Sequence, residues 1–155
     1  MVAAYANDNW SQPNLQPARE DISLDLENVT VDTFIQNLQE NITTDSLDFD
    51  IQVLNGDSSG LGKKDFKHDV NIIFYDGDNS EKKMKEFFVN MIDFTEDVFT
   101  LVVDDANIEN NVRITKRYIE DLGLKVLYER ELLNDLEDPE MWWNGLYVTV
   151  LQKQI

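Results

Sequence analysis

Two six-residue runs, VNIIFY (70–75) and VFTLVV (98–103), are apolar almost without interruption. Between them Met84, Phe87, Phe88, Met91 and Ile92 recur at helical spacing, which predicts one apolar stripe on a helix that Ser80 is placed to cap. A strand that is apolar on both faces needs cover on both faces. Two such strands with a helix between them point to a parallel sheet sandwiched by helices, and they exclude most all-β and all-α architectures.

The rest of the chain extends this alternation. Residues 2–6 read as a short buried strand, and 48–55 (DFDIQVLN) as a half-exposed one. Val31, Phe34, Ile35, Leu38 and Ile42 mark a helix over 30–42, and Ile108, Val112, Thr115, Ile119 and Leu122 mark another, stopped at Gly123. Residues 125–133 and 145–152 are two further strands with no helix between them, so they should pair antiparallel. The predicted order is β, α, β, β, α, β, α, β, β. Residues 11–28, with two prolines and many polar side chains, form a loop long enough to be functional or mobile. At 155 residues and 42% hydrophobic content, the whole chain, 1–155, is expected to form a single globular α/β domain.

Charge and residue usage remove several functions. Aspartate and glutamate number 31 against 13 lysines and arginines, a formal net charge of −18. That field repels nucleic acid and anionic membrane surfaces, so neither is an expected partner. The ordinary meaning of such an acid excess is a solvated surface. There is no cysteine, which excludes disulfides, thiolate metal sites and cysteine nucleophiles and suits a reducing cytoplasm, the expected location. No run of about 18 apolar residues exists to span a membrane, and residues 2–6 lack the length and basic flank of a signal peptide.

In open α/β sheets, ligands bind beyond the carboxyl ends of the strands. Here those ends are alike. The first strand runs to Asp8, the second to Gly56-Asp57-Ser58, the third to Asp76-Gly77-Asp78 and the fourth to Asp104-Asp105. Turns favour aspartate anyway, so one such residue means little, but four strand ends in common carry more weight. Two roles fit. A carboxylate at a strand tip accepts both hydroxyls of a ribose, and acids from neighbouring tips hold a hard divalent cation, with Asp76, Asp104 and Asp105 the candidate set.

Other motifs fall away. DGDNSE (76–81) starts like a calcium loop but has Glu81 where glycine is required, and NGDSSG (55–60) has no preceding helix. Gly60-Leu61-Gly62 lacks phosphate-loop spacing. His68, the one histidine, sits in a charged stretch and reads as a surface residue. Trp142 and Trp143, before the last strand, read as packing or interface residues, with a pocket wall as the alternative.

Taken in order, AYANDNWS, NGDSS, IIFYDGDNS, LVVDDAN, IEDLGLKVLYE and WWNGLYVTVLQK resemble class I S-adenosylmethionine-dependent methyltransferases. The likeness is closest to the branch called methyltransferase domain 24, related to catechol-type O-methyltransferases, and it covers essentially the whole chain. It implies a three-layer Rossmann-like sandwich with strand order 3-2-1-4-5-7-6 and strand seven antiparallel. It implies that Asp8 takes the cofactor ribose, that Asp57 and Ser58 lie by the adenine, and that Asp76 sits near the methionine end as the catalytic candidate. In metal-dependent relatives the places of Asp76, Asp104 and Asp105 bind magnesium. The implied reaction is methyl transfer to an oxygen of a small molecule or sugar. Two departures stand out: Asn79 replaces the histidine of the usual DGDHS, and the chain has no glycine-rich turn of the E-x-G-x-x-x-G type.

The first predicted strand therefore corresponds to strand two, and the first βα unit is expected to be missing. Strand one belongs between strands two and four, so those two are expected to pair with each other or to be bridged by another chain, making a homo-oligomer through the open sheet edge. A non-catalytic, self-associating interaction module of the same fold is the alternative function.

Overall fold

The computed structural model describes residues 2–8, 32, 36, 49–55, 57–108, 110–133 and 144–154. They belong to two compact units, Met1–Asp57 and Ser58–Ile155, each described by itself.

In the first unit, β1 (Val2–Asp8) and β2 (Phe49–Asn55) run parallel, from Val2 beside Phe49 to Asp8 beside Asn55. Asp32 and Gln36 are helical. The remainder of the predicted 30–42 helix and the 11–28 loop lie outside the described residues.

In the second unit, β3 (Val70–Tyr75), β4 (Thr95–Val103), β5 (Lys125–Leu132) and β6 (Leu146–Gln152) form one sheet in the order β3-β4-β6-β5. β3 and β4 are parallel, while β6 is antiparallel to both β4 and β5. This is the 4-5-7-6 portion of the implied order, and the antiparallel last strand is as expected. Two helices, α1 (Glu81–Phe94) and α2 (Asn111–Asp121), complete the unit.

Four of the five residues of the α1 stripe are buried, Met84, Phe87, Phe88 and Met91 being at most 4% exposed, while Ile92 is partly buried at the margin of the core. They meet Ile73 and Tyr75 of β3, Leu101 and Val103 of β4, and Tyr147 and Leu151 of β6 in one core. Tyr75 packs on Phe87 with ring centroids 4.5 Å apart, and Phe88 stacks on Tyr118 of α2 at 5.7 Å. Both helices thus lie on one face of the sheet. Ile72 and Phe74 of β3 and Tyr128 of β5 stand on the opposite side or edge and are exposed.

Local signals explain the helix ends. α2 stops in a Schellman motif: Gly123 has φ +64°, its N–H donates to Glu120 O, and Leu124 N–H donates to Ile119 O. Ser80 is the N-cap of α1, but its side chain makes no capping bond. Its backbone N–H instead donates to Asp78 Oδ1 at 2.7 Å, so aspartate tightens the turn into the helix. The buried face of α2 is Ile114, Thr115, Tyr118 and Ile119, while Ile108 precedes the helix and is exposed.

Among the described residues, β1 pairs with β2 and β3 pairs with β4. Among the described residues, no helix is long and apolar enough to cross a membrane.

Candidate functional site at the strand tips

Each parallel pair ends level. Asp8 closes β1 beside Asn55 of β2, and Tyr75 closes β3 beside Val103 of β4. The ladder continues one step further through Asp104 N–H to Tyr75 O, at 3.0 Å. Asp76 and Asp104 therefore follow the same edge of the second sheet, as the sequence indicated. Asp76 is exposed there, and Asp57 and Ser58 lie at the junction of the two units, Ser58 opening a short 3-10 turn (Ser58–Gly60).

The loop after β3 is held from beneath. The Tyr75 hydroxyl donates to Asp78 O at 2.8 Å. Gly77 leaves room for that ring, because a Cβ at this position would stand 3.0 Å from it.

The centre of the site is Asp105, whose backbone is left-handed (φ +59°), an uncommon state for a non-glycine residue. That turn directs its carboxylate between two amides. Asn79 Nδ2 donates to Oδ2 at 2.7 Å and Asn144 Nδ2 donates to Oδ1 at 2.8 Å. Asn111, 2% exposed at the start of α2, donates to Asp105 O at 3.2 Å. Backbone bonds complete the knot, from Ala106 N–H to Gly145 O (3.1 Å) and from Asn107 N–H to Asn144 O (2.7 Å). One residue thereby ties together the β3–α1 loop, the head of α2 and the approach to β6.

This arrangement lends the metal reading no support. Among the described residues, no three of His, Cys, Asp and Glu come together as a ligand set, the trio Asp76, Asp104 and Asp105 included. Both oxygens of Asp105 already accept amide hydrogens, and Asp104 Oδ1 accepts the Asp105 N–H at 2.8 Å. The chemistry of Asp105 is that of a clamp, and magnesium has no support. Asn79, Asn111 and Asn144 were not among the sequence candidates. The only signals were the unusual asparagine in DGDNS and the Asn-Gly pair before β6. Trp142 and Trp143 lie outside the described residues, and His68 is exposed, as expected of a surface residue.

A second polar cluster lies on the helix side of β5 and β6. The Tyr147 hydroxyl donates to Glu129 Oε2 at 2.8 Å, and Lys116 Nζ reaches Glu131 at 2.8 Å and Glu129 at 3.3 Å. Burial pushes the Tyr147 phenol well above the ordinary tyrosine range, and its bond to Glu129 adds to this. The same hydroxyl, with Lys116, holds the Glu129 carboxyl below its usual 4.5. A depressed carboxyl contributes stability above its ordinary pKa and loses it as pH falls through the folded value, so this contribution should fade below about pH 4.5. In Tyr147→Phe, Glu129 should titrate nearer its ordinary value and the acid loss should shrink; carboxyl-resolved NMR titration checks it. A shallow hollow of about 250 Å³ borders this cluster, touched by Lys116, Leu124 and Tyr147, but none of the strand-tip acids lines it.

No protein-family profile matches the chain, and no curated protein matches it. Solved structures do. A candidate RNA methyltransferase from Pyrococcus horikoshii superposes with a TM-score of 0.50 at 16% identity, over 81% of this chain and 58% of that one. The fold is the Rossmann-like fold of class I methyltransferases. A candidate methyltransferase from Thermoplasma acidophilum (TM-score 0.48, 12% identity, 81% of this chain and 54% of that one) is also similar. So is TYW2 of M. jannaschii in complex with AdoMet (TM-score 0.46, 15% identity, 79% and 52%). The chain spans a little over half the length of these proteins.

Proposed function

We propose that this methyltransferase-type fold binds S-adenosylmethionine at the carboxyl edge of its parallel strands and serves methyl transfer to an oxygen of a small molecule or sugar. The observation that carries the reading holds in each unit by itself: Asp8 closes β1 level with Asn55 of β2, and Asp76 and Asp104 follow β3 and β4 directly. Asp8 is assigned to the ribose hydroxyls, Asp57 and Ser58 to the adenine, and Asp76 to the methionine end. The donor set fits such a molecule, since Asp76 is an exposed carboxylate able to meet an ammonium group, on a loop fixed by Tyr75. When bound, the cofactor supplies an electrophilic methyl on a sulfonium. The chain's part is to hold donor and acceptor in line, which provides most of the acceleration in such a displacement. Asp76, the catalytic candidate, acts by positioning.

The Pyrococcus protein is named for RNA, but a net charge of −18 disfavours a polyphosphate acceptor for this chain and favours a small one. Calorimetric titration with S-adenosylmethionine tests the proposal. The whole chain should give a saturable heat. Asp8→Ala should weaken it by roughly tenfold or more, the loss expected when hydrogen bonds to a charged group disappear. No heat at millimolar cofactor overturns the reading and leaves the non-catalytic interaction module in its place.

A further inference from the structure

Asn144, one of the two amides that hold the Asp105 carboxylate, is followed by Gly145. An asparagine before glycine is the pair most prone to lose its amide, because glycine has no side chain to shield its backbone nitrogen and leaves the peptide free to turn. The chain has two such pairs, Asn55-Gly56 and Asn144-Gly145. The second differs in what its amide holds. Asn144 Nδ2 donates to Asp105 Oδ1 at 2.8 Å, and Asn144 O accepts the Asn107 N–H at 2.7 Å. The fold also requires the glycine. Gly145 has φ +78°, and a Cβ there would stand 3.1 Å from Leu132 O. Asn144 itself is half-buried, so water reaches it. The same glycine that lets the knot close therefore leaves the neighbouring amide labile.

We propose that Asn144 is a deamidation site and that its conversion to an acid opens the Asp105 clamp. The Gly145 nitrogen attacks Asn144 Cγ. A Cγ–N bond forms, the Cγ–Nδ2 bond breaks, and Nδ2 leaves as ammonia with the proton of the Gly145 N–H. One water then opens the cyclic imide, giving aspartate at one carbonyl or isoaspartate at the other. The net exchange is one water in and one ammonia out. Either product puts a carboxylate where a donor stood, opposite Asp105 Oδ1, and like charges at that range repel. Asp104, whose Oδ1 accepts the Asp105 N–H, adds a third negative charge to the same turn. The clamp joins the β3–α1 loop, the head of α2 and the approach to β6, so its loss frees all three together. The dependence runs both ways. Ring closure swings Cγ towards the Gly145 nitrogen, a movement that the bond to Asp105 resists, so an intact clamp slows the reaction that destroys it. The inference is independent of cofactor binding.

Peptide mapping by mass spectrometry, on the full chain aged at mildly alkaline pH, tests the site. Acid should accumulate at residue 144 in the natural chain. Asp105→Ala should speed this by roughly tenfold, the weight of one hydrogen bond to a charged group. Gly123→Ala, which disturbs the same unit away from the clamp, should leave the rate near the natural one. Urea unfolding tests the consequence. Asn144→Asp should lower the midpoint further than Asn144→Ala, which removes the donor without adding charge. Combining Asn144→Asp with Asp105→Asn restores one acid–amide pair and should recover most of that loss. An aged natural chain with no acid at residue 144 overturns the site. Equal rates in the natural and Asp105→Ala chains, or an Asn144→Asp midpoint no lower than that of Asn144→Ala, overturn its link to the clamp.

Discussion

Asp105→Ala is expected to lower the unfolding free energy by about 2–4 kcal/mol, read from the urea midpoint at unchanged slope. Two amide-to-carboxylate bonds are lost, from Asn79 and Asn144. Hydrogen bonds to charged groups contribute about 1.5–3 kcal/mol each, with partial exposure drawing the sum down. Alanine also keeps the left-handed penalty of about 1 kcal/mol at φ +59°. Asp105→Gly removes the carboxylate but relieves the backbone, so it should fall about 1 kcal/mol less than alanine. Asp105→Asn presents an amide where two amides already point, and should lie between the natural protein and alanine. If Asp105→Ala stays within about 0.5 kcal/mol of the natural protein, as an ordinary surface change does, the clamp does not form in solution.

Gly145→Ala should cost a comparable amount, about 2–3 kcal/mol. Gly145 has φ +78°, where a left-handed alanine costs roughly 1–2 kcal/mol. A Cβ there would also press on the Asn107 side chain and stand 3.1 Å from Leu132 O, a backbone atom that cannot swing aside. The residue lies at the knot itself, because its carbonyl accepts the Ala106 N–H. Gly123→Ala is the internal control. Its φ is +64°, but nothing lies within 4 Å of its Cβ, so only the backbone part, roughly 1–2 kcal/mol, should appear. Equal losses at the two glycines, compared by thermal and urea unfolding, would contradict crowding at Gly145.

Both predictions concern residues that the sequence did not mark for this role, and the reason is physical. Strand and helix placement depends on short-range pattern, and it was legible. VNIIFY, VFTLVV and the Met84–Phe87–Phe88–Met91 stripe fall where the spacing put them. The antiparallel closing pair followed from two strands with no helix between them. The alignment of acids with strand ends was legible for the same reason, because each lies one residue or so beyond an apolar run. The partners of those acids were not. Asn79 and Asn144 lie 26 and 39 residues from Asp105 along the chain, and only the folded backbone brings them together. Adjacent acids at 104 and 105 looked like a shared ligand pair, but the left-handed turn at Asp105 sends its carboxylate into the asparagines.

The reading of the strand tips as a cofactor site is tested most directly by amide-resolved NMR. S-Adenosylmethionine would be titrated into the ¹⁵N-labelled chain while each backbone N–H is followed. The amides of Asp8, Asp57, Ser58 and Asp76 should shift together, with one saturation curve, while those of β5, such as Lys125 and Tyr128, remain in place. Shifts confined to β5 and the Lys116–Glu129 cluster, or none at millimolar cofactor, would contradict it.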